Sequence, residues 1–600
     1  MAIATNFPSI KPSLLLDFAN TKALDPRITF TRATTATFYD GVTTAKAEEN
    51  LFTRSQEFDT TDWTKTGCSV TANTSSAPDG TTTADTLTAS ASTSVHNIQQ
   101  PTTVSGAPIV ISIFAKAGTH SFLQIFQGNA SINYANFNLS TGALGTVGAA
   151  GTASITDAGN GWYRCSFVFT PLAISAVRFA LISSATAAYN ESWTTAGTET
   201  VLLWGAQIEV RSSVTAYTAT TTQAITNYIP QLMTAASGVA RFDHNPITDE
   251  SLGLLIEEQR TNLVLRSEEF DNAVWVKNAC TVSANTLTAP DGAITADKLV
   301  EDTSTGLHFL HYLATFAAST SYTVSVYAKA GERTRFQIGG SGSAWASFST
   351  AVFDLSAGTV VTNTGAFTSA SITPAGNGWY RCTATGLSNA SPVNQQVAQF
   401  FLVQSGTTTS YTGNGFSGLF IWGAQLEAGA FATSYIPTVA ASVTRNADAA
   451  SMTGTNFSSW YSAPEGTVYT EFQLTSGNGA GNNANIVALE GAGGLNMTVH
   501  RDSAAGWRYR TNLANLNISG VSDTLSNKIV FAYATSSYPF VASGGAVQLN
   551  TGVGVAPVTT SLVIGGGSNY ALSRAINGTI RKIAYYPIRV TNANLQALTS

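Results

Sequence analysis

Apolar and polar residues alternate with a period of two along most of the chain. IVISIFAKAG, SFLQIFQGN, YRCSFVFTPL, VRFALISSA and TVLLWGAQIEV follow one another between positions 50 and 222. YTVSVYAKAG, RTRFQIGGSG, YRCTATGL, VAQFFLVQS and GLFIWGAQLE do the same between 263 and 443. Clusters of Gly, Asn, Ser and Thr separate these runs, so each reads as a short strand that buries one face. No segment of either stretch keeps a capped 3.6-residue apolar period, which excludes long amphipathic helices. LLLDFANTKALDPRITFTRATTATFYDGV near the N-terminus is broken by Asn20, Pro26 and the Asp40–Gly41 turn, again predicting short strands. ARFDHNP and SLGLLIEE, inside 223–262, read as a hairpin, because a free linker would not carry LGLLI. From 444 onward TVYTEFQLTS, ANIVALEG, LNMTVHRD, NKIVFAYATS and GTIRKIAYYPIRV make a further strand series. One short helix is expected at the end, in TNANLQALTS, with Thr591 or Asn592 as its N-cap.

The pattern is duplicated. GNGWYRC at Gly159–Cys165 recurs at Gly376–Cys382, and WGAQIE at Trp204–Glu209 recurs as WGAQLE at Trp422–Glu427. Asn50, Trp63, Cys68 and Asp85 recur 212 positions on as Asn262, Trp275, Cys280 and Asp297, as does the APDG tetrapeptide at Ala77 and Ala289. The displacement grows to 217 at GNGWYRC and 218 at WGAQ. Fixed spacing inside motifs with slippage between them describes a shared strand framework carrying variable loops. The expected fold class is all-β: tandem jelly-roll sandwiches at 50–222 and 263–443, and a second sandwich type at 444–600. The N-terminal segment 1–49 is too small to stand alone, so it is expected to join 223–262 in a small β platform with the first module inserted in it.

Composition narrows the function. Six hundred residues call for three or four cores. Charged residues are only 11%, yet 44% hydrophobic and 10% aromatic content exclude a disordered chain. A net charge of −6 argues against nucleic acid and anionic membrane surfaces as partners. The N-terminus shows no signal-peptide pattern, and no apolar run reaches membrane-spanning length, so synthesis in a cytoplasm without membrane insertion is expected. Cys68, Cys165, Cys280 and Cys382 fall as two equivalent pairs: four buried thiols, or one disulfide per module. No spacing suits zinc, no H-E-x-x-H includes any of the six histidines, and His308 and His311 lack a nearby third ligand. Nucleophile-elbow and Walker signatures are missing. GNGAGNN, with Gly477, Gly479 and Gly481, precedes no helix and reads as a hairpin tip. Glu57, Asp59, Glu268, Glu269 and Asp271 read as a lock at the sandwich rim rather than a glycosidase pair.

LLLDFANTKALDPRITFTRATTATFYDG, GVARFDHNPITDESLGLLIEEQRTNL, EEFDNAVW…APDGAITADKL and GNGWYRC…WGAQLE are similar to segments of modular virion proteins of tailed bacteriophages: tail fibres or spikes, tail proteins and head fibres. The modules resemble the carbohydrate-binding-like jelly rolls of those proteins, and the end of the chain resembles their laminin-G/concanavalin-like domain. The resemblance implies a viral structural protein of the virion, assembled in the host cytoplasm, with other virion proteins as partners and homotrimeric assembly. It implies host attachment through non-enzymatic binding of cell-surface polysaccharide; a head-fibre or decoration role is the alternative, and a glycan depolymerase a distant third. No cofactor is expected. A structural calcium, by analogy with carbohydrate-binding jelly rolls, would use Glu57 or Asp59 with Glu209, and Glu269 or Asp271 with Glu427. Trp162, Trp204, Trp379 and Trp422 stand at repeated positions and read as core, while Trp63 and Trp275 plug the sandwich ends. Sugar platforms are expected where the modules differ: Tyr189 and Trp193 in the first, Trp345 and Tyr411 in the second, Trp460, Tyr461 and Trp507 in the last. Weak single contacts would gain avidity from repetition.

Overall fold

A computed structural model describes residues 11–104, 106–393, 396–474, 484–491, 496–502, 506–511, 515–517, 521, 526–550, 558–566 and 575–600. The chain is all-β and multidomain. Each module is a sandwich of two six-stranded antiparallel sheets with the same strand order in both copies. In module 1 the first sheet runs Ala143–Val147, Tyr134–Asn138, Phe122–Gln127, Ala176–Leu181, His96–Pro101, Thr64–Thr66; the second runs Gly151–Asp157, Trp162–Phe169, Ile109–Ala117, Thr200–Glu209, Ala84–Ala89, Cys68–Ser75. Phe52, Phe58, Trp63, Ile111, Leu123, Phe167 and Phe179 fill the space between them. Module 2 repeats this with Phe270, Trp275, Val324, Phe336 and Phe400.

The repeated motifs have specific structural tasks. Gly159, Asn160 and Gly161 all have positive φ, as do Gly376, Asn377 and Gly378, so GNG is a left-handed reversal that L side chains resist. The tryptophans that follow are buried and donate to Ser76 O at 3.1 Å and Thr288 O at 3.2 Å. In WGAQ[IL]E the alanine enters the core, and the Gln207 and Gln425 carboxamides accept from Thr218 N at 2.6 Å and Ile436 N at 2.7 Å. Glu209 and Glu427 accept from the backbone N–H of Thr215 at 3.1 Å and Thr433 at 3.0 Å, and from both threonine hydroxyls. The motif therefore pins the strand returning from each module. Trp63 and Trp275 close the sandwich ends and donate to Arg54 O at 3.0 Å and Arg266 O at 3.1 Å. All four cysteines are free thiols, and burial pushes Cys68 and Cys280 up to about 11.

The C-terminal sandwich corrects one expectation. The N-terminal segment and 223–262 do pair, as a two-stranded ribbon of Ala36–Asn50 with Ile225–Ala235. The remaining strands do not complete a separate platform. Leu14–Asp17 and Ser251–Ile256 share one edge of Gly578–Tyr586, and Thr29–Thr31 pairs with Ala449–Thr453. The physical reason is burial: Leu14, Leu16, Phe18, Ile28, Leu254 and Ile256 need a core larger than some ninety residues can build, and they enter the one formed by the C-terminal strands. The hairpin itself forms as expected, with Phe242 opposite Leu254. Thr591 caps the final helix, Asn592–Thr599, by accepting from Asn594 N at 3.3 Å.

A buried ionic knot joins these segments. Asp448 accepts from Arg32 Nη1 at 2.9 Å and Arg241 Nη2 at 2.6 Å, while Glu257 faces Arg241 at 2.8 Å and Arg445 at 3.6 Å. Burial works against the charge of Glu257, but Arg445 and Arg241 outweigh it and hold the carboxyl down at about 2. Removal of any one partner would strand a buried charge, so the knot fixes how the hairpin, the exit of module 2 and the C-terminal sandwich meet.

Candidate functional site

The two modules differ most at the edge where the loop ending in Trp193–Thr194 pairs with Thr93–Ser94. Trp193 is half-buried and donates from its indole N–H to Leu181 O at 3.2 Å. His120 lies 5.2 Å away with its ring tilted by 31°, and His96 meets the indole edge-on at 5.8 Å. Ser94 lies directly across from Trp193 on the same face of this two-stranded ribbon, while the Thr93 and Thr194 hydroxyls, 2.7 Å apart and exposed, lie on its other face. One wall of the indole is thus packed on histidine while part of it meets solvent, with Ser94 across from it. An apolar ring surface beside hydrogen-bonding groups suits the C–H face of a sugar.

Tyr189 comes from the same loop. Its ring is half-buried, edge-on to Phe126 at 5.2 Å and Tyr134 at 6.1 Å, and its hydroxyl donates to Gln127 O at 2.8 Å. Beneath it, Arg178 Nε donates to Gln99 Oε1 at 2.6 Å, with its guanidinium 5.7 Å from the Phe126 ring. Tyr189 and Trp193 are therefore presented by one loop over one sheet.

The corresponding edge of module 2 is closed. Tyr411 occupies the place of Trp193 and is buried, with its hydroxyl donating to Glu301 Oε2 at 2.7 Å. Arg333, which stands where module 1 has His120, grips Glu301 through two nitrogens at 2.7 and 2.6 Å and covers the Tyr411 ring at 5.1 Å. Burial tends to raise the Glu301 carboxyl, but the bonds from Arg333 and Tyr411 prevail and hold it below the usual carboxylate range. Register alone could have flagged this closure, since Ala89 of module 1 corresponds to Glu301.

Four of the expected platform residues are not platforms. Trp345, Tyr411, Trp460 and Trp507 are all buried. Trp345 donates to Val397 O at 3.0 Å and is flanked edge-on by Phe316 and Phe367, because module 2 needs a large side chain beside Gly340. Trp460 and Trp507 pack into the C-terminal core against Tyr585 and Phe472. Tyr461 is half-buried and stacks on Phe457 at 4.6 Å. In the second module the sheet row beside the edge carries His311, Gln399 and Gly339 in place of Gln99, Arg178 and Phe126, and His311 Nδ1 and Gln399 Oε1 are buried with no partner among the described residues.

The donor sets do not fit calcium. Glu209 and Glu427 are spent on Thr215 and Thr433, and Glu57 and Glu269 pair with Arg54 and Arg266 at 2.7 and 2.9 Å. Among the described residues no group of three or more His, Cys, Asp or Glu side chains converges. The rim lock lies elsewhere: Asp85 accepts from Phe58 N and Asn73 N, both at 2.9 Å, and Asp297 from Phe270 N at 2.8 Å and Asn285 N at 2.9 Å. Burial raises both carboxyls to about 6. The GNGAGNN segment falls outside the described residues.

No protein-family model matches the chain, and no curated protein sequence matches it. Among solved structures, the chain is similar to the CBM40 of Ruminococcus gnavus IT-sialidase bound to α2,3-sialyllactose, at 14% identity and a TM-score of 0.21 over 24% of this chain and 88% of that one. It is similar to the tandem CBM22-1–CBM22-2 of Paenibacillus barcinonensis Xyn10C, at 14% identity and 0.19 over 64% and 99%. The LG1–3 region of the laminin α2 chain aligns at 10% identity and 0.19 over 84% and 97%. Scores this low transfer nothing beyond the sandwich architecture already described.

Proposed function

We propose that this chain is a structural virion protein of a tailed bacteriophage, fibre- or spike-like, that binds host surface glycan without hydrolysing it, and that module 1 is the binding copy. The observation that carries glycan binding is the half-buried Trp193 with His120 behind it and Ser94 across from it. Its duplicate, Tyr411, is buried by Glu301 and Arg333, so the open edge is a property of one copy and not a by-product of the fold. The virion setting and homotrimeric assembly rest on the sequence resemblance. A purely binding role is supported by the tasks of the tempting carboxylates: Glu57 and Glu269 are paired with arginine, and Glu268 accepts from the Tyr435 hydroxyl at 2.9 Å.

A glycan array with the full chain, followed by titration of the best oligosaccharide, tests the reading. Trp193→Ala should lower affinity about five- to thirtyfold, since one stacked ring contributes on the order of 1–2 kcal/mol. Unchanged affinity in Trp193→Ala, or release of reducing ends during incubation, would overturn it. Antibody labelling of intact particles at the distal tail is the expected result for the virion assignment; label over the head would give it to a head fibre.

A further inference from the structure

The second sheet of module 2 is roofed. The ribbon of Ala36–Asn50 and Ile225–Ala235 lies across its outer face, packing Ala47, Ile229 and Leu232 on Trp379, Trp422, Tyr327 and Tyr435. Leu232 N donates to Pro290 O at 2.7 Å, and the Thr288 hydroxyl donates to Lys46 O and Ala47 O at 3.1 and 3.0 Å. Lys329 pairs with Glu48. The roof fits closely: a Cβ on Gly376 would sit 2.5 Å from Pro230 Cδ, and one on Gly292 2.7 Å from Ala45 Cβ.

Module 1 has the same face without the roof. Trp162 and Trp204 repeat Trp379 and Trp422 and are buried as they are, yet several surrounding positions are more open. Tyr327, Ala375, Phe420 and Tyr435 are buried, whereas their counterparts Phe114, Ala158, Leu202 and Tyr217 are half-buried. Thr288 is fully buried and its counterpart Ser76 is exposed. Positive φ explains why glycine stands at all four turn positions, but not what faces them. A Cβ on Gly159 meets nothing within 4 Å, and one on Gly80 meets only Phe416 of module 2, at 3.9 Å on the rim. Pro78 O and the Ser76 hydroxyl, which correspond to the ribbon-binding groups of module 2, have no partner among the described residues. Lys116, which corresponds to Lys329, reaches back to Asn160 O at 2.6 Å.

We infer that the second sheet of module 1 is the docking face for a two-stranded antiparallel ribbon of another polypeptide, aliphatic on the docked side and carrying an acidic residue opposite Lys116. The chemistry of the occupant is read from the one seated on the duplicate face: small aliphatic side chains against the half-buried Phe114, Leu202 and Tyr217 around the tryptophans, a backbone N–H for Pro78 O, a carbonyl for Ser76, and a carboxylate for the lysine. The occupant belongs to a different chain, because the ribbon of this one is held between module 2 and the hairpin by 11- and 15-residue strands that already have a floor.

The probe is a labelled peptide of residues 228–235 joined by an Asn-Gly turn to residues 36–48, a connection that matches the pairing of Ala235 with Ala36. Anisotropy titration against the full chain should give saturable binding to one site. Lys116→Glu, at a half-buried lysine whose loss of the bond to Asn160 O is controlled by its melt and by a Lys116→Gln variant, should weaken binding about tenfold, and the Glu48→Lys peptide should restore it on that variant. No saturable binding by the folded chain up to millimolar peptide, or binding indifferent to Lys116→Glu, would overturn the inference. Self-association of the chain that Lys116→Glu abolishes would also overturn it, since the face would then belong to a second copy.

Discussion

Modules 1 and 2 are one framework put to different uses. Their sheets have the same strand order, their GNG reversals the same left-handed backbone, and their Asp85/Asp297, Gln207/Gln425 and Glu209/Glu427 hold the same backbone groups. Among the places where they part, three bear on function. Trp193 is half-open where Tyr411 is locked. Gln56 of module 1 stands where module 2 has Glu268. The tryptophan face is roofed only in module 2. Identity between duplicates marks what a sandwich needs in order to fold, and difference marks where a copy has been released for another task. That inverts the usual weighting, in which a repeated tryptophan attracts functional attention.

The largest effect should come from the shared part. Trp63→Ala and Trp275→Ala each remove a fully buried plug and should each cost about 3–5 kcal/mol in the module that carries it; hydrogen exchange by module would register this, and a loss confined to one copy would break the claim of equivalence. Next comes the lock peculiar to module 2. Glu301→Ala leaves the Arg333 guanidinium and the buried Tyr411 hydroxyl without their acceptor and should destabilise that module by about 2–4 kcal/mol, whereas Ala89 of module 1 has no such neighbour. Tyr411→Phe, which removes one hydrogen bond and keeps the ring, should cost about 1–2 kcal/mol and leave glycan binding untouched. A loss of glycan affinity in Tyr411→Phe would show that module 2 also binds.

The smallest effect is in pH dependence. Burial raises the Glu268 carboxyl to about 7, although the Tyr435 hydroxyl opposes the shift. A carboxyl whose folded value lies above its unfolded value of about 4.3 keeps its proton longer in the native state, so its contribution is present at acid pH and lost as pH rises from about 4 through 7. Glu268→Gln, which installs the module 1 residue, should flatten the stability of module 2 between pH 5 and pH 8, while the slope common to both modules from Asp85 and Asp297, each near 6, persists. Glu257 works in the opposite sense: held at about 2, it adds stability above its unfolded value, which is lost as pH falls from about 4 toward 2. Stability that rises monotonically with pH would contradict this assignment of signs.

Much of the architecture was legible in the residues. Period-two alternation located strands of both modules and of the C-terminal sandwich, and the duplicated motifs marked Trp162, Trp204, Trp379 and Trp422 as buried, although they cluster on the outer face of the second sheet and not between the sheets. The candidate site was legible only in part. Absence from the repeat separated the half-buried Trp193 from the buried Trp204, but it could not separate Trp193 from Trp345, because a tryptophan peculiar to one module can as well fill the gap that a glycine leaves as face solvent. Tyr411 was misread for a related reason: its partners Glu301 and Arg333 lie 110 and 78 positions away, on strands that only the sheet brings together.

What the sequence determined by itself is local: which runs are strands, where the chain reverses, and that two stretches share one plan, since alternation, left-handed glycines and repeated motifs are properties of neighbouring residues. What only the tertiary structure decided is which edges and faces those strands would find. Leu14–Asp17 and Ser251–Ile256 carry the same alternation as any strand, and nothing in it says that their partner is Gly578–Tyr586. Backbone pairing is almost indifferent to sequence, so the choice falls to burial of whole faces and to the charges of Arg32, Arg241, Glu257, Arg445 and Asp448, which have to neutralise one another wherever the segments carrying them meet.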